Sequence, residues 1–339
     1  MRYFVLFHFF CFSWLLGFAH DVTLKDSTNL FPICSATIYD VNGNIIGRSD
    51  MDGKIDLTKG QEYHVSHIGY EPKTFICDDR CIVFLHSTSY KIQEINVTAK
   101  KKKYYHCKVF FRSIEHVDSV LKYYMDGVRE FIIDTRTKKV KAMNEEIYYY
   151  MSKNQAIAQK KRTSMIGDKY ISLPYLEKNV LHEEVILDKK KYIESGVVYG
   201  DSIQIGKCEI SNEKNEMVLS LDALYPKSSM VLNLFGYTQV MSKHNRTEIY
   251  RFNDLEIPNI FNLKSSNRYR HFTLTHKKEN YIRDIDVEDV FFVVESRFTD
   301  TKELSSSEIL KEDYKKFSVK YPMDSRIKNL LVNENQIQP

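Results

Sequence analysis

From residue 20 to residue 99 the chain is a succession of short runs, none longer than nine residues, divided by Pro32, Asn42-Gly43, Asp52-Gly53, Lys59-Gly60 and Pro72. The runs are DVTLKD, ICSATIYDV, NIIGRS, KIDLT, EYHVSHIGY, TFIC, CIVFLHS and INVTA. Apolar and polar residues alternate within them as in strands with one buried face, and glycine and proline at these intervals end strands. Short strands so spaced predict an antiparallel β-sandwich.

One corner of that pattern, Ser49-Asp50-Met51-Asp52-Gly53, looks like the start of a calcium loop. An EF-hand loop needs ligands at positions 1, 3 and 5, a glycine at 6 and a bidentate glutamate at 12. With Asp50 in the first position, glycine comes too early and Gln61 stands where the glutamate belongs. Asp50, Asp52 and Gly53 therefore read as a hairpin turn between NIIGRS and KIDLT, with Gly53 at positive φ. In YHVSHIGY the apolar phase slips by one near Ser66-His67, which predicts a β-bulge, with Gly69 and Tyr70 in the turn beyond it. His64 and His67 point to opposite faces of a regular strand and make a poor metal pair.

Three stretches carry a resemblance: LKDSTNLFPICSATIYDVNGNIIGRSDMDGKIDL, YHVSHIGYEPKTF and IVFLHSTSYKIQEINVTA. Asp26, Thr28, Pro32 and Ile33 open the pattern. The Asp-Gly corner and Ile68-Gly69-Tyr70 follow, and Glu94 with Asn96-Val97-Thr98-Ala99 closes it. This order resembles the carboxypeptidase-like regulatory domain of Bacteroidota envelope proteins, over about a quarter of the chain. The resemblance implies a Greek-key, transthyretin-like sandwich whose Asp-Gly corner binds no metal. It resembles the accessory domain of metallocarboxypeptidases, not their zinc-bearing one. His182-Glu183-Glu184 lacks the second histidine of a zinc motif, and neither a phosphate loop nor a nucleophile elbow occurs. No catalytic residue, cofactor or metal ligand is assigned.

Residues 1–19 read as a secretory signal: Arg2 is the positive start, YFVLFHFFCFSWLLGF the apolar run, and Gly17-Phe18-Ala19 the cleavage site. Retention as an uncleaved anchor is the alternative. Cys11 sits inside the apolar run without the small residues that precede a lipidated cysteine. Residues 20–99 are then the sandwich, 100–106 a basic linker and 107–339 an α+β domain with a mainly antiparallel sheet. Net charge is only +4. The lysine clusters at 100–103, 160–162 and 189–191 read as solvated surface, and nucleic acid is not an expected partner. Export permits disulfides, and Cys77 and Cys81, flanking Asp78-Asp79-Arg80 between apolar runs, are expected to pair across a hairpin.

In the second domain Phe110, Ile114, Val117, Leu121 and Tyr124 recur at steps of four, three, four and three, which predicts a helix. Strands are expected at REFIIDT, KVKAMNEEIYYYM, SIQIGKCEI, EMVLSLDAL, MVLNLFGY, TEIYRF, RHFTLTHKK and EDVFFVVESRF, with SNEKNE and SKHNR as turns. In the last strand Val290, Phe292, Val294 and Phe298 are expected to share one face. The tyrosines at 148, 149 and 150 must alternate faces. Ser305 and Glu308 stand at capping-box spacing before a late helix, and a short one is expected from Asp324. The segment after the linker is also similar to the region that follows the regulatory domain in Bacteroidota outer-membrane-associated proteins, a likeness that implies no activity.

These readings imply an exported, non-enzymatic envelope protein in the periplasm or at the outer membrane. Its partner is another envelope protein, a glycan or a lipid, with peripheral membrane association. A second reading is a carrier holding a hydrophobic ligand in a half-barrel sheet. A third is a hydrolase assembled from His182, Glu183, His244 and His271.

Overall fold

The computed structural model describes residues 19–28, 30–67, 70–78, 81–86, 102–151, 191–200, 202–211, 215–224, 227–234, 236–251, 259–278, 282–323 and 327. The protein is mostly β-sheet and divides into two compact units, Met1–Ser89 and Tyr90–Pro339.

The first unit holds β1 (Ala19–Asp26), β2 (Thr37–Tyr39), β3 (Ile45–Arg48), β4 (Lys54–Thr58), β5 (Glu62–Ser66), β6 (Lys73–Ile76) and β7 (Ile82–Leu85). They form two sheets, ordered β4-β1-β7 and β3-β2-β5-β6. Val22, Leu24, Leu57, Val83 and Leu85 of the first meet Ile38, Tyr63 and Val65 of the second in one buried core, so the unit is a β-sandwich. It is not wholly antiparallel, because β1 and β7 run parallel. INVTA, Ile68 and Gly69 lie outside the described residues.

The Asp-Gly corner joins the sheets instead of closing a hairpin, since β3 pairs with β2 and β4 with β1. Asp50 organises it: its Oδ1 accepts the backbone N–H groups of Asp52 and Lys54, both at 2.8 Å. Gly53 closes it at φ +74° with its N–H on the Asp50 carbonyl at 3.0 Å. An asparagine oxygen accepts the same two bonds. Asp50→Asn is therefore expected to change stability by less than about 0.5 kcal/mol, and millimolar calcium is expected to shift the melting of neither protein. A calcium-induced rise in melting temperature that Asp50→Asn abolishes would contradict the turn assignment.

The expected Cys77–Cys81 hairpin is likewise replaced by a crossing. Cys77 follows β6 in one sheet and Cys81 precedes β7 in the other. Both are buried thiols with no disulfide between them. The sulfurs donate to different carbonyls, Cys77 to Asp78 and Cys81 to Ile76, each at 3.9 Å. His64 lies 3.3 Å from the Thr74 hydroxyl, and His67 packs its ring on Tyr70.

The second unit holds β8 (Tyr104–Val117), β9 (Val120–Asp134), β10 (Val140–Met151), β11 (Lys191–Glu194), β12 (Val197–Gly200), β13 (Ile203–Ser211), β14 (Glu216–Asp222), β15 (Met230–Leu234), β16 (Tyr237–Arg251), β17 (Leu263–His276), β18 (Ile282–Thr299) and α1 (Ser307–Lys320). The strands make one 11-stranded sheet, ordered β10-β9-β8-β18-β17-β16-β14-β13-β12-β11, with β15 beside β16. In place of the expected α+β domain, the unit is an antiparallel sheet with α1 as its one long helix among the described residues.

The helix expected over Phe110 to Tyr124 is a hairpin, β8 and β9. Ile114 and Tyr124 are partners across the ladder, and both pack with Leu121 on the face that also carries Phe110, whereas Val117 points to the opposite face and packs on Ile285 and Val287. Asp118 and Ser119 make the turn at φ +52° and +64° without a glycine to announce it. SKHNR, expected as a turn, lies inside β16. A register shift between Val293 and Glu295 carries Phe298 to the face of Tyr105, while Phe292 stacks on Tyr321 on the opposite face.

The sheet is buried on both faces where β8 and β9 lie. On one face α1 covers it. Ser306, rather than Ser305, caps the helix, and Glu308 and Lys320 stand at the ends favoured by the helix dipole. Leu310 and Phe317 are buried, and Tyr314 stacks on Tyr148 with ring centroids 4.0 Å apart. Tyr314 donates to Asp126 at 3.0 Å, Tyr124 donates to the same carboxylate at 2.8 Å, and Arg112 reaches Tyr124 at 2.6 Å. Lys108 pairs with Asp313 at 2.6 Å. Of the segment from Asp324, only Ile327 is described, packed with Ile114 and Tyr124.

Candidate functional site

The opposite face carries a continuous apolar cluster from Tyr149 on β10 to Val198 on β12, including Phe111, Met125, Leu219, Leu221, Tyr250 and Phe291. A belt of charge borders it. Cross-strand partners share a face, and the ladders align Arg246, Arg268, Asp289 and Ser113 in one row across β16, β17, β18 and β8. The next row holds His244, Arg270, Val287 and Glu115. Beyond the belt lies a second apolar group, Phe272 and Ile285, which packs on Val287 of the belt row and has Met241 and Leu274 against it.

Period 2 builds this belt. His244, Arg246, Glu248 and Tyr250 are alternate residues of β16, so all four project to one side. Arg246 Nε lies 2.6 Å from Glu248, whose other oxygen accepts from Tyr250. Asp289 gathers Arg268 at 2.9 Å, Arg270 at 2.7 Å and the Ser113 hydroxyl at 2.5 Å. Burial alone would raise the Asp289 carboxyl, but the two guanidiniums and the hydroxyl hold it below its ordinary range. His244 is pushed down to about 4, first by burial and then by Arg268 and Arg270. It is therefore neutral at pH 7, and its buried Nε2 has no hydrogen-bond partner among the described residues.

Such a belt is costly unless its charges are matched, and apolar residues of the same volume commonly stabilise a fold as well or better. Arg246, Arg268 and Arg270 share the belt with Glu115, Glu248 and Asp289, so the set is close to charge-balanced, and the neutral His244 stands beside it between two apolar zones. An anionic group placed there would share the forked guanidinium donors with these carboxylates, and His244 offers a further donor.

His244 and His271 are not brought together. His244 pairs in register with Arg270, and His271 with Lys243, so the two rings project from opposite faces. His271 instead lies 3.0 Å from Asp286. His182 and Glu183 lie outside the described residues. The belt residues Arg246, Arg268, Arg270, Glu248 and Asp289 were not singled out in the sequence. Their signal was the polar alternation at 244, 246 and 248 inside SKHNRTEIY, which the polar residues between them disguised as a turn.

Both faces carry groups that make the sheet acid-sensitive. On the helix face Glu130 accepts from His106, from the Ser305 N–H at 2.7 Å and from the Ser305 hydroxyl at 3.0 Å. Burial opposes ionisation there, but these donors hold the carboxyl at about 2 against an ordinary 4.5. A lowered histidine binds its proton more weakly folded than unfolded, and so does a lowered carboxyl. Stability is therefore expected to fall with pH from 6.5 toward about 4 through His244, and from 4.5 toward about 2 through Glu130. Urea midpoints across this range check it. His244→Gln is expected to flatten the upper fall and keep the lower one.

No family model and no curated protein matches the chain. A solved structure described as "lipid-protein interactions in lipovitellin" is similar over 62% of this chain and 27% of that one, at 10% identity and a TM-score of 0.27. The chain thus spans about a quarter of that protein's length. A likeness at that level assigns neither a fold family nor a ligand.

Proposed function

We propose that this chain is an exported, non-enzymatic binding protein of the cell envelope, whose large sheet holds an anionic amphiphile. The belt of Arg246, Arg268, Arg270 and His244 between two buried apolar clusters carries the reading, because it sets polar donors for a charged end beside apolar side chains that an acyl chain could replace or join. The secretory signal read at residues 1–19 supports export to the periplasm or the inner side of the outer membrane. The motif order from Asp26 to Ala99 supports assigning the sandwich to the carboxypeptidase-like regulatory modules, with Greek-key, transthyretin-like topology and a role in contacting another envelope component. The hydrophobic-carrier reading and the binding-module reading thus become one.

The test is native mass spectrometry and lipid extraction of protein isolated from the envelope. The expected result is a bound long-chain anionic amphiphile, absent from the triple variant Arg268→Met, Arg270→Met, Asp289→Leu. Wild-type protein that carries no such ligand, and binds a fluorescent fatty acid no better than the triple variant, would overturn the reading.

A further inference from the structure

The far end of the sheet, beyond the belt, exposes apolar residues in a way that folding does not explain. In β15, Met230, Val231, Leu232 and Leu234 are each between 47% and 54% exposed. Met230, Leu232 and Leu234 share one side of this strand and Val231 takes the other, so both faces present apolar groups. β15 pairs with β16 through Met230↔Met241 and Leu234↔Tyr237, and its outer edge carries no ladder among the described residues.

Neighbouring turns extend the same lip. The β16–β17 ladder sets Tyr237 opposite His276, with ring centroids 4.4 Å apart, and the Lys277 N–H donates to the Gly236 carbonyl at 3.0 Å. Ile282, at the start of β18, is 68% exposed, and Val120 of the β8–β9 turn is 50% exposed. The latter turn is held alongside by Asp118, which pairs with Arg283 at 2.6 Å. Lys227, Lys243, Lys277 and Lys278 are exposed around this apolar lip. Asp284, also exposed, accepts from Thr273.

We propose that the lip docks on an anionic lipid surface. A bilayer interface can take apolar side chains from both faces of an edge strand, and the exposed lysines around the lip complement acidic headgroups while the Tyr237–His276 pair sits at headgroup level. The lip shares no residue with the charged belt, so the inference stands whether or not the sheet holds a ligand.

The experiment is co-sedimentation of the intact chain with vesicles of phosphatidylcholine alone or mixed with phosphatidylglycerol. Binding is expected to the anionic vesicles and to weaken with added salt. The pair Leu232→Asp with Leu234→Asp is expected to lower it on the order of tenfold. Lys277→Glu with Lys278→Glu is expected to lower binding to the anionic vesicles only. Amide exchange of β8 and β9 monitors the fold, and fatty-acid binding monitors the belt; both are expected to be unchanged in these exposed-site variants. Absence of vesicle binding, or binding indifferent to all four substitutions, would overturn the proposal. So would a lipid-free dimer that Leu232→Asp dissociates, because the edge would then belong to a second copy of the chain.

Discussion

Replacing Asp289 by leucine is expected to destabilise the sheet unit by about 3 to 5 kcal/mol, the range for removing one partner of a buried ion cluster. The loss is large because one carboxylate serves two cations. Arg268 and Arg270 both end on its Oδ2, and the leucine leaves them facing each other without the carboxylate they share. The Ser113 hydroxyl loses its acceptor as well. Adding Arg268→Met and Arg270→Met to the leucine variant is expected to restore most of that stability, since an apolar set removes the charges that need matching. Denaturant melts of wild type, the single variant and the triple variant measure the three values. A triple variant as unstable as the single one would mean that the belt is itself a structural requirement of the sheet.

The second large effect is expected at the corner between the two small sheets. At Gly53 a Cβ would lie 2.5 Å from the Leu24 carbonyl oxygen and 3.1 Å from the Ile33 nitrogen, backbone atoms that cannot turn aside. The backbone there is also left-handed, at φ +74°. Gly53→Val is therefore expected to cost more than the roughly 1 to 3 kcal/mol that a strained conformation alone carries. The Leu24 N–H bonds the Gly53 carbonyl at 2.8 Å, and its own carbonyl accepts from Ile33 at 3.0 Å, so the damage passes directly into β1 and the sandwich core. Hydrogen exchange by mass spectrometry of the intact chain locates it. Amides of Val22, Leu24, Ile38 and Val65 are expected to lose protection while those of β8 and β9 keep theirs. Retained protection in β1 would contradict the geometry assigned to the corner.

The two units were unequally legible in the sequence, for physical reasons. In the sandwich KIDLT and IVFL keep a period of 2 because their strands have a wet face. EYHVS keeps it in sequence although Tyr63, His64 and Val65 are all buried, and the positive φ of Gly53 follows from its place after Asp50 and Asp52. Its sheet pairing was not legible. Asp-Gly between two strands signals a reversal of the chain, and a reversal that crosses between sheets has the same local chemistry as a hairpin. In the large sheet β8 and β9 are covered on both sides, so nearly every residue is buried and period 2 vanishes. The remaining apolar spacing imitated a helix because Ile114, Leu121 and Tyr124 lie around one hairpin. The register shift near Val294 moved Phe298 across the sheet, and no residue type marks such a shift. The belt was hidden for the converse reason. Charged residues on a buried face resemble a solvated loop, and only pairing with β17 and β18 reveals that Arg246, Arg268 and Asp289 meet.

The most direct measurement is calorimetric titration of the intact chain with a long-chain fatty acid and with the methyl ester of the same acid. The two ligands share their apolar chain and differ in the charge offered to Arg246, Arg268, Arg270 and His244. The belt predicts that the acid binds at least about tenfold more tightly, a difference of about 1.4 kcal/mol, and that this preference disappears in the triple variant. Equal affinity for acid and ester, or a preference that survives loss of Arg268 and Arg270, would contradict it.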